Sequence, residues 1–184
     1  MCDPFVWVRY DDQAVREFTL DRLRLSDFIG SVPWRQVRAR HGQAHYAGAY
    51  VSATTGGFVA YESRLELARL LLADFDPHVR QIYAQPFRLV AQVDGQIRCH
   101  VPDFLLVTAA GTGRLVNVKP AARLQDHRVA RVLAWPGALA ERHGCAQVTI
   151  VGAVGPGARH EPDAVADELW RRHTGRDQPL VVLR

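Results

Sequence analysis

Apolar and polar positions along the chain change period several times, and each change marks an element. Residues 5–10 (FVWVRY) alternate weakly and are expected to form a strand, with a short helix over 12–18. Residues 30–60 are rich in Gly, His, Arg and Ser and read as irregular structure. Short strands are expected within them at 48–52 and 57–61, about the turn Thr54-Thr55-Gly56-Gly57. Leucines spread over a broad face predict the first strong helix at 62–74 (ESRLELARLLLAD), stopped by Asp76-Pro77. Extended segments follow at 79–84 and 86–93, around Gln85-Pro86. Asp94-Gly95 predicts a two-residue hairpin, because both positions of a type I′ turn need positive φ. The return strand is expected over 97–107, a turn at Gly111-Thr112-Gly113, and a third strand over 114–118. A helix is predicted from Ala122 to Ala134, broken at Trp135-Pro136-Gly137 and resumed to His143. The β-branched run 147–154 predicts a buried strand, 162–173 a helix and 179–183 a last strand.

A helix, an antiparallel meander, a crossover helix and a further strand imply an α/β fold. A crossover helix between strands 114–118 and 147–154 makes them parallel neighbours. The expected architecture is a mixed β-sheet flanked by helices on both faces. Residues 1–45 fall outside this pattern and are read as an N-terminal extension packed on the core, with 46–184 as the main domain.

Composition narrows the class. A chain of 184 residues with 48% apolar content can bury the core of one domain. It lacks the run of about 18 apolar residues that a membrane span needs. Met1-Cys2-Asp3-Pro4 has neither the basic start nor the apolar core of a secretion signal, so a cytoplasmic location is expected. Three cysteines without paired spacing read as reduced thiols and disfavour a zinc site. The net charge of +4 and pI of about 9.3 are compatible with a polyanionic partner. Of the 23 basic residues, 22 are Arg, which an Arg-favouring codon composition explains. The only lysine, Lys119, is then a pointer to chemistry. Arg replaces Lys on a solvated surface but not where a compact ammonium must approach phosphate or water.

Three features point to one site: Pro102-Asp103 in the return strand, Asn117-Val118-Lys119 ending the next, and Glu66 on the preceding helix. Two strands and a tight turn span the 14 residues from Asp103 to Asn117. Asn117 and Lys119 are two apart and are expected on one strand face, opposite the carboxylate. Such a cluster suits phosphodiester hydrolysis. Paired carboxylates hold a hard cation such as Mg²⁺, which keeps waters and takes phosphate as a ligand. A lysine beside them stabilises developing charge or positions the attacking water.

On these residues the chain resembles the restriction-endonuclease-like nucleases, in which Asp and (Glu/Gln)-x-Lys lie on adjacent strands after a helix bearing Glu. More closely it resembles TnsA, the endonuclease subunit of heteromeric cut-and-paste transposases. The resemblance runs through Ser63–Ala68, Pro102–Leu105 and the run Val118-Lys119-Pro120-Ala121-Ala122-Arg123-Leu124-Gln125-Asp126, within residues 45–150. It implies a restriction-endonuclease-like core over 46–184 and catalytic residues Glu66, Asp103, Asn117 and Lys119. The metal ligands would be Glu66, Asp103 and the Val118 main-chain carbonyl. Mg²⁺ would be the cofactor, with Mn²⁺ able to substitute. It also implies double-stranded DNA as substrate, cut at the 5′ ends of a transposon. The implied partners are an integrase-core (Asp-Asp-Glu) transposase and an ATP-dependent transposition regulator. The chain departs from the pattern at Asn117, where the family has Gln or Glu.

Each residue also has a structural reading. Glu66 and Glu62 lie on one helix face, and periodicity does not choose between them; the resemblance selects Glu66 and leaves Glu62 in support. Asp103 after Pro102 reads alone as a turn former, but inside VPDFLLV a buried carboxylate needs a cation or a donor. His100, three before Asp103, is expected on the opposite strand face, structural or solvent-facing rather than a ligand. Gln85 beside Pro86 is read as support for the site. Arg123, Arg128 and Arg131 on the following helix are either phosphate contacts or a solvated face. Trp7, Trp34, Trp135 and Trp170 are assigned to core or interfaces. Two other functions remain open: a stand-alone restriction, repair or defence nuclease, and a catalytically impaired scaffold that binds DNA and a partner.

Overall fold

The computed structural model describes residues 3–35, 47–120, 123, 126–142 and 147–153. In chain order the strands are β1 (Phe5–Arg9), β2 (Val15–Thr19), β3 (Gly48–Ser52), β4 (Gly57–Tyr61), β5 (Val79–Ala84), β6 (Arg88–Val93), β7 (Gln96–His100), β8 (Phe104–Thr108), β9 (Gly113–Pro120) and β10 (Gln147–Ala153). The described helices are α1 (Arg64–Asp74), α2 (His127–Arg142) and the 3₁₀ turn Leu25–Phe28. One sheet has the order β2-β1-β6-β7, a second β10-β9-β8-β5, and β3 pairs with β4 as a hairpin. The fold is therefore mixed α/β, and its strands are mostly antiparallel. Among the described residues only β9 and β10 pair in parallel, as their crossover connection requires. No described helix is long and apolar enough to cross a membrane.

Alternation along the second sheet sends side chains into two cores. Phe104, Leu106, Val116 and Val118 pack with Leu70 and Ala73 of α1. Leu105 and Leu115 pack instead with Trp135, Leu139 and Ala140 of α2, together with Val6, Val8 and Leu89 of the first sheet. The two helices thus cover opposite faces of β10-β9-β8-β5. The Asp94-Gly95 hairpin forms as its residues require, with φ of 52° and 75° closing β6 against β7.

Four sequence expectations change. The helix at 12–18 is instead β2, folded back on β1. Its turn is held by Tyr10 N–H to Ala14 O and by Asp12 Oδ1 accepting from Ala14 N–H, with Gln13 at φ 63°. The N-terminal residues do more than pack on the core, because β1 is hydrogen-bonded between β2 and β6. The single strand at 97–107 is two strands in different sheets, parted at Val101-Pro102-Asp103. Pro102 has no N–H to donate to a ladder, so pairing breaks there. Helix α2, His127–Arg142, runs unbroken through Pro136 where a break was expected. Burial of Leu133, Trp135, Leu139 and Ala140 outweighs the one intrahelical hydrogen bond that proline removes. The expected helix at 162–173 and strand at 179–183 lie outside the described residues.

The hairpin β3–β4 is tied to the end of α1 by one carboxylate. Asp74 accepts from the Tyr50 hydroxyl (2.7 Å), the Ser52 hydroxyl (2.5 Å), and the N–H groups of Ala53 (3.1 Å) and Thr54 (2.9 Å). Burial raises its pKa, but the bonds from Ser52, Thr54 and Tyr50 outweigh burial and hold the carboxyl below its ordinary value. With the folded value lower than the unfolded one, this carboxylate stabilises the fold above the ordinary carboxylate range. The contribution is lost as pH falls through the folded value. Asp74→Asn is expected to cost about 2 kcal/mol in urea unfolding at neutral pH, with the gap from wild type closing below about pH 4. Equal midpoints at neutral pH would remove the latch from the account.

Candidate functional site

The break that splits 97–107 creates the site. The chain leaves the first sheet at His100 and enters the second at Phe104, and Asp103 stands at the crossing. Its main chain is clamped on both sides: Asp103 N–H donates to Val116 O (3.1 Å), and Asp103 O accepts from Gln85 N–H (2.9 Å). Its buried side chain turns to β9, where Oδ2 accepts from Val118 N–H at 2.6 Å. A buried carboxylate is costly unless donors meet it, and this charge-assisted bond is one. Lys119 is another. Its Nζ lies 3.5 Å from the same Oδ2 and donates to Val118 O at 3.0 Å. The stem of Lys119 folds back over the end of β9, and the side chain stays partly exposed.

Glu66 enters from α1 and has a second task. Ser63 is the helix N-cap, and Glu66 N–H donates to its Oγ (3.2 Å). The Glu66 carboxylate reaches back to accept from Ser63 Oγ–H (3.0 Å) and Glu62 N–H (2.8 Å). This is a variant of the capping box, with the reciprocal bond taken by the residue before the cap. Burial raises the Glu66 pKa; the Glu62 N–H bond lowers it, and the charge of Asp103 raises it. The Asp103 carboxylate therefore lies near enough to oppose ionisation of Glu66.

Asn117 lies elsewhere. In phase with Leu115, it faces the α2 core, and its Oδ1 meets His100 Nε2 at 2.7 Å. An amide oxygen only accepts, so Nε2 carries the proton. Burial holds the His100 pKa below its ordinary value, against the Asn117 bond and the Asp103 charge, so the ring is neutral. Its edge packs on Trp135 at 6.2 Å. The expectation that Asn117 and Lys119 together face Asp103 is thus corrected. The long Lys119 side chain reaches Asp103 from the strand end, while the short Asn117 stays with the face its position dictates.

The supporting residues form a chain of contacts. Glu62 pairs with Arg35 through Nη1 at 2.6 Å. Arg35 N–H donates to Gln85 Oε1 (2.9 Å), and Trp34 N–H to Gln85 O (3.1 Å). Gln85 is buried and takes φ 45°, a left-handed value that an ordinary strand residue avoids. Of the helix arginines, Arg123 is exposed. The side chains of Arg128 and Arg131 lie outside the described residues. Sequence reading passed over two participants. Ser63 was legible as the cap of a Ser-x-x-Glu box. Arg35 carries no local signal, because only folding brings it to Glu62.

Two carboxylates and one main-chain carbonyl make an oxygen donor set, which suits a hard cation. Among the described residues no group of three or more His, Cys, Asp or Glu side chains is placed to hold a metal. A cation here would take its remaining ligands from water or substrate. The observation that bears on its fit is the Lys119 ammonium, which stands against two of the three donors.

The Glu66 charge has a testable sign. Its folded pKa is the higher one, so the ionised form opposes folding above the ordinary carboxylate range, and that cost vanishes as pH falls. Glu66→Gln keeps an acceptor for Glu62 N–H without the charge. It is expected to melt at or above the wild-type temperature at pH 7 and to match wild type below about pH 4. Glu66→Ala, which loses the box, is expected to cost about 1 kcal/mol. A lower melting temperature for Glu66→Gln at pH 7 would overturn this assignment. Compared with known proteins, the chain matches no protein-family model and no curated protein.

Proposed function

We propose that this protein is a divalent-metal-dependent DNA endonuclease with a restriction-endonuclease-like core, similar to the TnsA subunit of heteromeric transposases. The observation that carries the reading is the meeting of Asp103, Val118 and Lys119 at the ends of two adjacent strands, beside the buried carboxylate of Glu66. Order along the chain supports it: a helix bearing Glu, two antiparallel strands bearing Asp and Lys, then a crossover to a parallel strand.

Asp103, Glu66 and the Val118 carbonyl would hold Mg²⁺, or Mn²⁺ in its place. When bound, the cation supplies positive charge at the scissile phosphate and makes water a better nucleophile at neutral pH. The chain's own residues do the rest. Val118 N–H fixes the Asp103 carboxylate, and Lys119 offers a mobile ammonium to a phosphate oxygen or to the attacking water. Arg123, Arg128 and Arg131 contact flanking phosphates of double-stranded DNA. Glu62 and Gln85 hold residues 34–35 beside the site. By the same resemblance, the substrate strands are the 5′ ends of a transposon in a cytoplasmic reaction. Site choice comes from an integrase-core transposase, with an ATP-dependent regulator as a further partner.

One observation favours a second reading, a DNA- and partner-binding scaffold of reduced activity. Asn117 stands where the family has Gln or Glu, and its oxygen is taken by His100. Calorimetry separates the two: a scaffold binds DNA without binding Mg²⁺ or Mn²⁺.

The direct test is nicking of transposon-end DNA with Mg²⁺ or Mn²⁺, with and without the transposase. Asp103→Ala and Lys119→Ala are each expected to slow cutting by about 10²-fold or more, with the fold retained by circular dichroism. Cutting that persists unchanged in both variants rules out this site.

A further inference from the structure

We propose that the Lys119 ammonium occupies the cation position of the resting chain, so that a divalent cation binds only as Lys119 leaves, because its Nζ stands against the two oxygens, Val118 O and Asp103 Oδ2, that would hold the metal. The inference rests on the nuclease reading and adds a regulation of the same site.

The two oxygens are fixed and the cation is mobile. Asp103 is pinned by Val118 N–H at 2.6 Å and clamped through its own N–H and C=O to β9 and Gln85. Val118 O belongs to β9, whose pairing with β10 runs through Val118 while its pairing with β8 ends at Val116. Lys119 holds them through a flexible four-carbon stem at 3.0 Å and 3.5 Å, with 39% of its side chain exposed. An ammonium and a divalent cation repel strongly at such separations in a partly buried site. They therefore exclude one another, and apparent metal affinity falls by the fraction of chains in which Lys119 is away. A phosphate delivered to the site gives the ammonium another anion, so DNA and metal favour each other's binding, and the coupling is reciprocal. The consequence runs against intuition: removing the lysine that cleavage needs strengthens metal binding.

The protein's composition makes the test clean, since Lys119 is its only lysine. Mn²⁺ is titrated into the full chain without DNA, with free Mn²⁺ read by electron paramagnetic resonance. Lys119→Met is expected to bind at least about tenfold more tightly than wild type, and Asp103→Asn to lose binding. In parallel, an amine-selective acetylating reagent is applied to wild type with and without Mn²⁺, and the Lys119 peptide is followed by mass spectrometry. Modification is expected to speed up several-fold with Mn²⁺, and to be fast and Mn²⁺-independent in Asp103→Asn. Lys119→Gln, with melting curves for all variants, guards against a folding artefact. If wild type binds Mn²⁺ and the folded Lys119→Met and Lys119→Gln variants bind it no better, the inference is overturned while the nuclease reading stands. If neither wild type nor the Lys119 variants bind Mn²⁺, the nuclease reading itself falls.

Discussion

The hydrogen bond from Val118 N–H to Asp103 Oδ2 fixes the geometry on which the candidate site depends. It spans the point where the chain passes from one sheet to the other, and it joins that crossing to the strand that ends in Lys119. A buried carboxylate opposes folding by desolvation unless donors meet it. This one is met by a main-chain donor that cannot swing away and by an ammonium that can. The fixed donor sets the direction of the carboxylate. The mobile one leaves its charge available to another cation or to an anion brought in from outside.

Strand β9 divides the work between its faces. Val116 and Val118 bury under α1, and Leu115 buries under α2. Asn117 follows Leu115 and finds His100, a neutral ring packed on Trp135. One face of β9 thus carries an uncharged polar pair inside an apolar core. The charged groups gather at its end, beside the start of α1. Glu66 belongs to both the helix and the site. Its carboxylate closes the capping box, and its charge is opposed by burial and by Asp103.

Support comes from a distance along the chain. Gln85, held in a left-handed backbone conformation, accepts from Trp34 and Arg35 and donates to Asp103 O. Arg35 in turn neutralises Glu62, the other acidic side chain near the start of α1. The N-terminal strands are therefore joined to the site by hydrogen bonds and by a shared sheet.

Much of this was legible in the residues alone. Strands β3 and β4, the Asp94-Gly95 hairpin, the α1 leucines and the parallel β9–β10 pair all follow from local periodicity and turn chemistry. The candidate residues Glu66, Asp103 and Lys119 could be named from residue type and spacing. Local signals failed where a residue's state depended on a distant partner. Residues 15–19 form a strand because β1 is there to pair with, and α2 runs through Pro136 because its apolar face is buried. The sequence by itself determined which groups carry charge and roughly which elements carry them, since both are properties of residues and their neighbours. Tertiary structure alone decided that Asn117 goes to His100, that Glu62 goes to Arg35, and that Lys119 rests on Val118 and Asp103. Those choices are set by burial and by hydrogen-bond partners that meet only when the two sheets are in place.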